Sequence, residues 1–273
     1  ILLGDYMQEI INILKFIIIG IVQGITEILP LSSSGHLAIV YKILNIDVKN
    51  QLDLTIYLHV ASSISLLLYF KKDLLILVKE FFSYLFKKKK ESFCSFKMVI
   101  YLIIASIPAG ICGIFISSFI EETFNNVNII AINFTITAIV LIIKKNISFK
   151  KQLDYNFKNT FIIGVFQSFA IFPGISRSGI TLFGGKISKL NDEYAKKFSF
   201  YLLIIISFGS SFLSLLKNKI IINNETALYI ISMLVASLFT YLSLKLFFSK
   251  KTNKSKFFPI YLLIISFLIL LFM

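Results

Sequence analysis

GIVQGITEILPLSSSG, residues Gly20 to Gly35, is an apolar run that stops at a proline and a cluster of serines. A second stretch, GVFQSFAIFPGISRSG, residues Gly164 to Gly179, follows at a constant offset of 144 residues. Gly20 matches Gly164, Gln23 matches Gln167, Ser32 matches Ser176, Ser34 matches Ser178 and Gly35 matches Gly179. Small and polar residues in register over so short a window mark an internal repeat. Each copy reads as an apolar helix broken at its serine loop and followed by a second short apolar stretch, with neither half long enough to cross a bilayer comfortably. That is the pattern of a re-entrant helix pair. Three full crossings fit between the copies, at about 54–70, 98–119 and 129–143. An odd number of crossings turns the second copy upside down, so the repeat is expected to be inverted, with the two broken tips meeting near the midplane.

Working outward, further apolar runs near 198–216, 226–248 and 257–273 complete the chain. The expected fold is therefore an all-α polytopic membrane protein with two re-entrant pairs and about six full crossings. It forms one membrane domain over residues 1–273, with one repeat half at about 8–120 and the other at about 128–273. Composition agrees: 57% of residues are hydrophobic and mean hydropathy is +0.85, more apolar surface than a soluble core of this size could hide. The runs are apolar nearly all round, which favours lipid as their solvent.

The net charge of +14 does not point to nucleic acid, because the basic residues cluster between apolar runs. Lys71 to Lys97 holds eight lysines, Lys144 to Lys158 five and Lys245 to Lys256 five, whereas the turn after Phe119 carries Glu121 and Glu122. The positive-inside rule places the first three connections in the cytoplasm and the last outside. Cys94 and Cys112 fall in different environments without metal-ligand spacing, so neither a disulfide nor a metal role is assigned to them. No cleavable signal peptide is expected, and Met7 reads as a start.

Against this apolar background a few residues carry chemistry. Glu27 sits between Thr26 and Ile28 inside the first broken pair. A charged group at a helix centre in the bilayer costs about 2.5–3.5 kcal/mol on insertion scales, so an acid kept there needs a cation, water or a proton. Arg177 is the single arginine, against 27 lysines, and occupies the second loop where the first has Ser33. A planar guanidinium can hold two phosphate oxygens at once, which lysine cannot do in fixed geometry. Ser32, Ser33, Ser34 and Gly35 offer hydroxyls and backbone N–H groups at a helix start, suited to an anionic oxygen. His36 can transfer a proton near neutral pH or attack phosphorus itself. His59 stays open between a cavity role and ordinary packing.

These residues resemble a family. Gln23-Gly-Ile-Thr-Glu27, then Pro30 and Ser32-Ser-Ser-Gly-His36, and later Pro173-Gly-Ile-Ser-Arg-Ser-Gly-Ile-Thr181, are similar to the two signature motifs of the undecaprenyl-diphosphate phosphatases of the bacitracin-resistance type. The likeness runs from about Ile10 to the C-terminus. It implies hydrolysis of undecaprenyl diphosphate to the monophosphate carrier of cell-wall synthesis by a multi-pass protein of the bacterial inner membrane. It also implies a divalent cation, magnesium or calcium. Carried over by motif, Glu27, Ser33, His36 and Arg177 are the catalytic candidates. Ser32, Ser34, Gly35, Ser176, Ser178, Gly179 and Thr181 are candidates for holding phosphate, and Glu27 with the Gln23 amide oxygen for holding metal. Two positions depart from the pattern. Gln23 stands where many members have glutamate, and Thr55 stands where an acid is common, with Asp53 nearby but assigned no role.

The expected partners are a polyprenyl diphosphate and the surrounding lipids, not nucleic acid, while self-association into a homodimer stays open. The nucleophile is undecided among Ser33, His36 and water, as are the membrane face of the cavity and the preferred prenyl length. A transporter or lipid flippase is the rival reading, because inverted repeats with broken helices are a common transporter design.

Overall fold

The computed structural model describes residues 2–46, 48–116, 123, 126–147, 149, 155–217, 226–249 and 257–273. Glu121 and Glu122, read as an external turn, and the side chain of Asp53 lie outside the described residues. The described secondary structure is helical, in the order α1 (Leu2–Ile28), α2 (Ser33–Leu44), α3 (Val48–Tyr69), α4 (Lys71–Lys87), α5 (Phe93–Phe115), α6 (Val127–Asn146), α7 (Phe157–Ser168), α8 (Arg177–Ile187), α9 (Asp192–Lys217), α10 (Thr226–Phe248) and α11 (Phe257–Phe272). Tyr6–Ile28, Lys90–Phe115, Val127–Asn146 and Thr226–Phe248 are long and apolar enough to cross a membrane, and Leu54–Tyr69 and Phe257–Phe272 are shorter apolar helices. This is a polytopic membrane protein.

Two expectations need correction. The first broken pair does not have two short arms: α1 runs for 27 residues, and its 23-residue apolar part is long enough to span. The helix extends N-terminally well past Gly20, because Met7 to Ile19 continues the apolar pattern without a proline or glycine to stop it. The second pair keeps the expected form, with arms of 12 and 11 residues in α7 and α8. The lysine-rich connection after residue 70 is not merely a loop, since most of it is α4, a helix with no buried residue. α4 leans on α5 through Phe81 stacked on Phe96 and Tyr84 against the same ring, with ring centres 5.4 and 4.7 Å apart. Apolar and lysine faces on one exposed helix suit the membrane interface.

Packing relations come in pairs. α1 lies along α10, and α7 lies along α5. A Cβ on Gly20 would sit 2.5 Å from the Ser232 carbonyl oxygen, and one on Gly164 would sit 2.6 Å from that of Ala105. Gly20 and Gly164 are the first matched pair of the sequence repeat, so the same residue type solves the same close approach twice. Without a hydrophobic drive between helices in lipid, such backbone proximity and interhelical hydroxyl bonds do much of the holding. Ser65 bonds Ser237 at 2.6 Å between α3 and α10, and Thr135 bonds Ser266 at 2.8 Å between α6 and α11.

Candidate active site

The repeated Ser-x-Ser-Gly motif builds the same cap in both loops. Ser32 caps α2 by accepting from the Gly35 N–H at 3.4 Å, and Ser176 caps α8 by accepting from the Gly179 N–H at 3.2 Å. Each cap satisfies a donor that the broken helix leaves free, which hydrocarbon could not do. Further polar groups of the second loop are met from α6. Asn133 Nδ2 donates to Pro173 O at 2.7 Å, while Thr137 Oγ1 donates to Gly174 O at 3.0 Å and accepts from Ser176 N at 3.1 Å.

The two tips touch. Gly174 N donates to Ser32 Oγ at 3.1 Å, and a Cβ on Gly35 would lie 2.8 Å from Gly174 Cα. Gly174 adopts φ +95°, and a Cβ there would strike that of Asn133 at 2.6 Å. Only glycine satisfies both demands. Ser32 itself stands at φ +71°, an uncommon conformation for a residue with a side chain, of the kind that collects at functional sites.

Between the tips lies a cavity of about 150 Å³ lined by Glu27, Ser33, Ser34, His59 and Arg177, with Thr26, Ser32, Ser176, Ser178 and an apolar wall of Ala170, Ile171 and Ile175. Glu27 ends α1 and is almost wholly buried. Its Oε2 accepts from Ser33 Oγ at 2.5 Å and from Gln23 Nε2 at 3.2 Å, and His59 Nδ1 is 3.6 Å from the same atom. Its Oε1 faces Arg177 Nη1 at 3.7 Å, and that nitrogen donates to Ser207 Oγ at 3.0 Å. An anion in this setting is tolerable because a cation and several donors surround it. Gln23 is fixed in turn by Ser62, at 3.2 Å, and Ser62 by Thr240, at 3.1 Å.

A hydroxyl bonded to a buried carboxylate, facing a guanidinium across a small polar cavity, can add to an electrophile and have the resulting charge stabilised. Comparison with known proteins places the chain in a family. The family model of bacitracin resistance protein BacA matches residues 16–268. The chain belongs to this family. Among similar proteins, undecaprenyl-diphosphatase 2 of Bacillus thuringiensis (strain Al Hakam) is 34% identical over 98% of this chain and all of its own. The undecaprenyl-diphosphatase of Thermosipho africanus (strain TCF52B) is 37% identical over 94% of this chain and all of its own. That of Oceanobacillus iheyensis is 34% identical, covering 96% of this chain and 97% of the relative.

Within the family motifs, the sequence candidates separate by position. Glu27, Ser33 and Arg177 meet at the cavity, and Ser32, Ser34, Ser176 and Ser178 line it. Ser32 and Ser176 are committed to caps, while Ser178 donates to the Leu29 carbonyl at 3.4 Å. Gly35 and Gly179 face the loop interior with their N–H groups on the cap serines. Thr181 is outside the cavity, joined to Arg177 O at 2.8 Å and Ser199 Oγ at 2.6 Å. His36 is also outside: Nδ1 pairs with Ser32 O at 2.8 Å, Nε2 with the Tyr261 hydroxyl at 2.9 Å, and the ring stacks on Tyr261. Gln23 lies beneath the cavity, its NH₂ on Glu27 and Ser62 and its carbonyl oxygen buried with no hydrogen-bond partner.

His59 is the residue sequence reasoning left undecided. It shares one face of α3 with Ser62 and Ser63, at the i, i+3 and i+4 spacing, and that polar stripe in an apolar helix was the available signal. Ser207 and Thr137, which support Arg177 and the second loop, gave only the weaker signal of single hydroxyls in apolar runs.

Proposed function

We propose that the chain hydrolyses undecaprenyl diphosphate to undecaprenyl phosphate and inorganic phosphate in the bacterial inner membrane, with Ser33 as nucleophile. The observation that carries this reading is the convergence of Ser33 and Arg177, from the two repeat loops, on the two oxygens of Glu27. The relatives' names supply the substrate, and the polyprenyl tail would lie among the helices while the diphosphate enters between the tips.

Ser33 Oγ attacks the terminal phosphorus as Glu27 Oε2 takes its proton. The anhydride bond breaks, and the bridging oxygen departs with the lipid monophosphate, to which Glu27 returns the proton. Water then attacks the phosphoserine as Glu27 takes its proton, the Ser33 Oγ–P bond breaks, and Glu27 passes that proton to Ser33 Oγ while inorganic phosphate leaves. Arg177, anchored on Ser207, holds oxygens of the transferring phosphoryl group, and its fork supplies preorganised positive charge. His59, with Nδ1 3.6 Å from Glu27 Oε2, lines the cavity beside the carboxylate without a hydrogen bond to it. His36 ties the first loop to α11 through Ser32 and Tyr261, and so is a positioning residue in this scheme.

A divalent cation, magnesium or calcium, belongs to the same proposal. The described residues contain no cluster of three acid, histidine or cysteine side chains. One carboxylate fits a hard cation that takes its other oxygens from water and phosphate. Glu27 would hold it, with the unpaired Gln23 carbonyl oxygen below as a second oxygen donor. When bound, such an ion neutralises phosphate charge and polarises the phosphoryl oxygens.

The test is trapping. Purified protein given terminally labelled polyprenyl diphosphate and quenched in acid or base should carry acid-stable label on Ser33, and Ser33→Ala should abolish both label and turnover. Label on His36, or turnover surviving in Ser33→Ala, would overturn the nucleophile. Phosphate release in detergent, where no second compartment exists, separates hydrolysis from transport.

A further inference from the structure

A second and larger cavity, about 430 Å³, lies on the other side of the first loop and takes no part in the reaction above. Its walls combine Lys144 and Lys145 at the end of α6, Lys186 at the end of α8 and Lys196 on α9 with one acid, Asp192. Leu29 and Pro30 form part of its floor, and Leu246, Phe247 and Phe258 part of its apolar wall. The carbonyl of Leu29 receives the hydroxyl of Ser178, which lines the catalytic cavity, so the loop contact separates the two spaces.

The charges do not cancel. Asp192 is paired with Lys186 at 3.0 Å and is also the carboxylate that faces Lys144, so four lysines share a single acid among the cavity's residues. Lys144 is half-buried and has no hydrogen-bonded acceptor among the described residues. This excess of cations around a space with an apolar flank needs an anion, and the residues beside them, Leu246 at 63% exposed and Phe258, offer a surface for hydrocarbon. Lys144 and Lys145 also open one of the connections whose lysine content marks the cytoplasmic side, where anionic lipids face the protein, and Lys186 and Lys196 line the same cavity.

We propose that this cavity binds the phosphate headgroup of an anionic phospholipid from the lysine-rich leaflet. Lys144 and Lys196 hold the phosphate oxygens, Lys145 stands at the rim, and the acyl chains run along Leu246, Phe247 and Phe258. Lysine serves here, where the catalytic loop uses arginine, because a headgroup needs charge without a fixed fork. The occupant is a lipid and not free phosphate, since inorganic phosphate leaves the apolar wall unmatched. The inference does not depend on the phosphatase reading.

The test is lipid retention by the full chain, read by native mass spectrometry after exchange into mixed phosphatidylglycerol and phosphatidylcholine. Wild type should retain phosphatidylglycerol selectively, Lys145→Gln and Lys196→Gln should each weaken retention about fivefold, and Lys144→Gln/Lys196→Gln about thirtyfold. Lys145 and Lys196 are exposed, so the single variants keep the test valid if the double variant fails to fold. Equal retention of the two lipids, retention unchanged by the single variants, or displacement of phosphatidylglycerol by equimolar inorganic phosphate would overturn it.

Discussion

The loop after α1 and the loop after α7 share a fold motif and divide the chemistry. Both cap the following helix with a serine bonded to a glycine N–H three residues on. At the position of Glu27 the second copy has Ile171, at that of Ser33 it has Arg177, and at that of His59 it has Leu203. One loop therefore carries the acid and the hydroxyl, and the other carries the cation. Two acidic loops meeting at the same place would repel, and two cationic ones would have nothing to accept a proton. Duplication supplies matched geometry, and divergence of a few side chains makes it electrostatically complementary.

The division can be broken most severely at its centre. Glu27→Gln keeps the size and two hydrogen-bonding atoms but removes the proton acceptor, and phosphate release should fall about 10³-fold, as for loss of a general base. Arg177→Lys keeps the charge but loses the fork and its geometry on Ser207, and should lower kcat about 10²-fold. Turnover of Arg177→Lys close to wild type would show that the second loop contributes charge alone. His59→Gln, which replaces an imidazole standing 3.6 Å from Glu27 Oε2 and beyond hydrogen-bond reach, should cost about fivefold, the worth of about 1 kcal/mol of contact with the carboxylate.

These groups were unequally legible before the structure. Glu27 and Arg177 stand out because a buried charge in an apolar run is expensive wherever the helix sits, so their meaning survives ignorance of packing. His59 depends on which face of α3 turns toward α1, which is set by how Ser62 and Ser65 dock against Gln23 and Ser237. His36 misleads in the opposite way: adjacency to three serines suggests a shared site. Yet one helical step past the cap turns its ring behind the loop, against Phe134 and Tyr261. The length of α1 was obscured by reading the broken segment from Gly20 onward, although the residues before it continue the helix.

The contact between the tips should be tested apart from the charges. Gly174→Ala places a Cβ where Asn133 already stands and demands φ +95° of an alanine. Overpacking and strain together should cost about 1–3 kcal/mol, lowering the melting temperature in detergent and reducing activity severalfold. Gly110→Ala is the control, since a Cβ there meets nothing within 4 Å. If both variants melt alike, the tips are not held together by the glycine approach.

The smallest effect is the one that separates two readings of the first loop. His36 has both ring nitrogens engaged, on Ser32 O and the Tyr261 hydroxyl, and neither faces Glu27 or Arg177. If it only fixes the unusual backbone of Ser32, then Tyr261→Phe removes one of the two ties and should lower kcat about two- to threefold, the worth of a neutral hydrogen bond at the low end of its range. His36→Gln, which keeps one donor and one acceptor, should do little more, and the double variant should be no worse than the stronger single one, because both act through one link. A proton-transferring His36 gives a different pattern, in which His36→Gln approaches Glu27→Gln while Tyr261→Phe stays mild. Steady-state phosphate release from the three variants decides between a loop whose chemistry ends at Ser33 and one whose histidine joins the reaction.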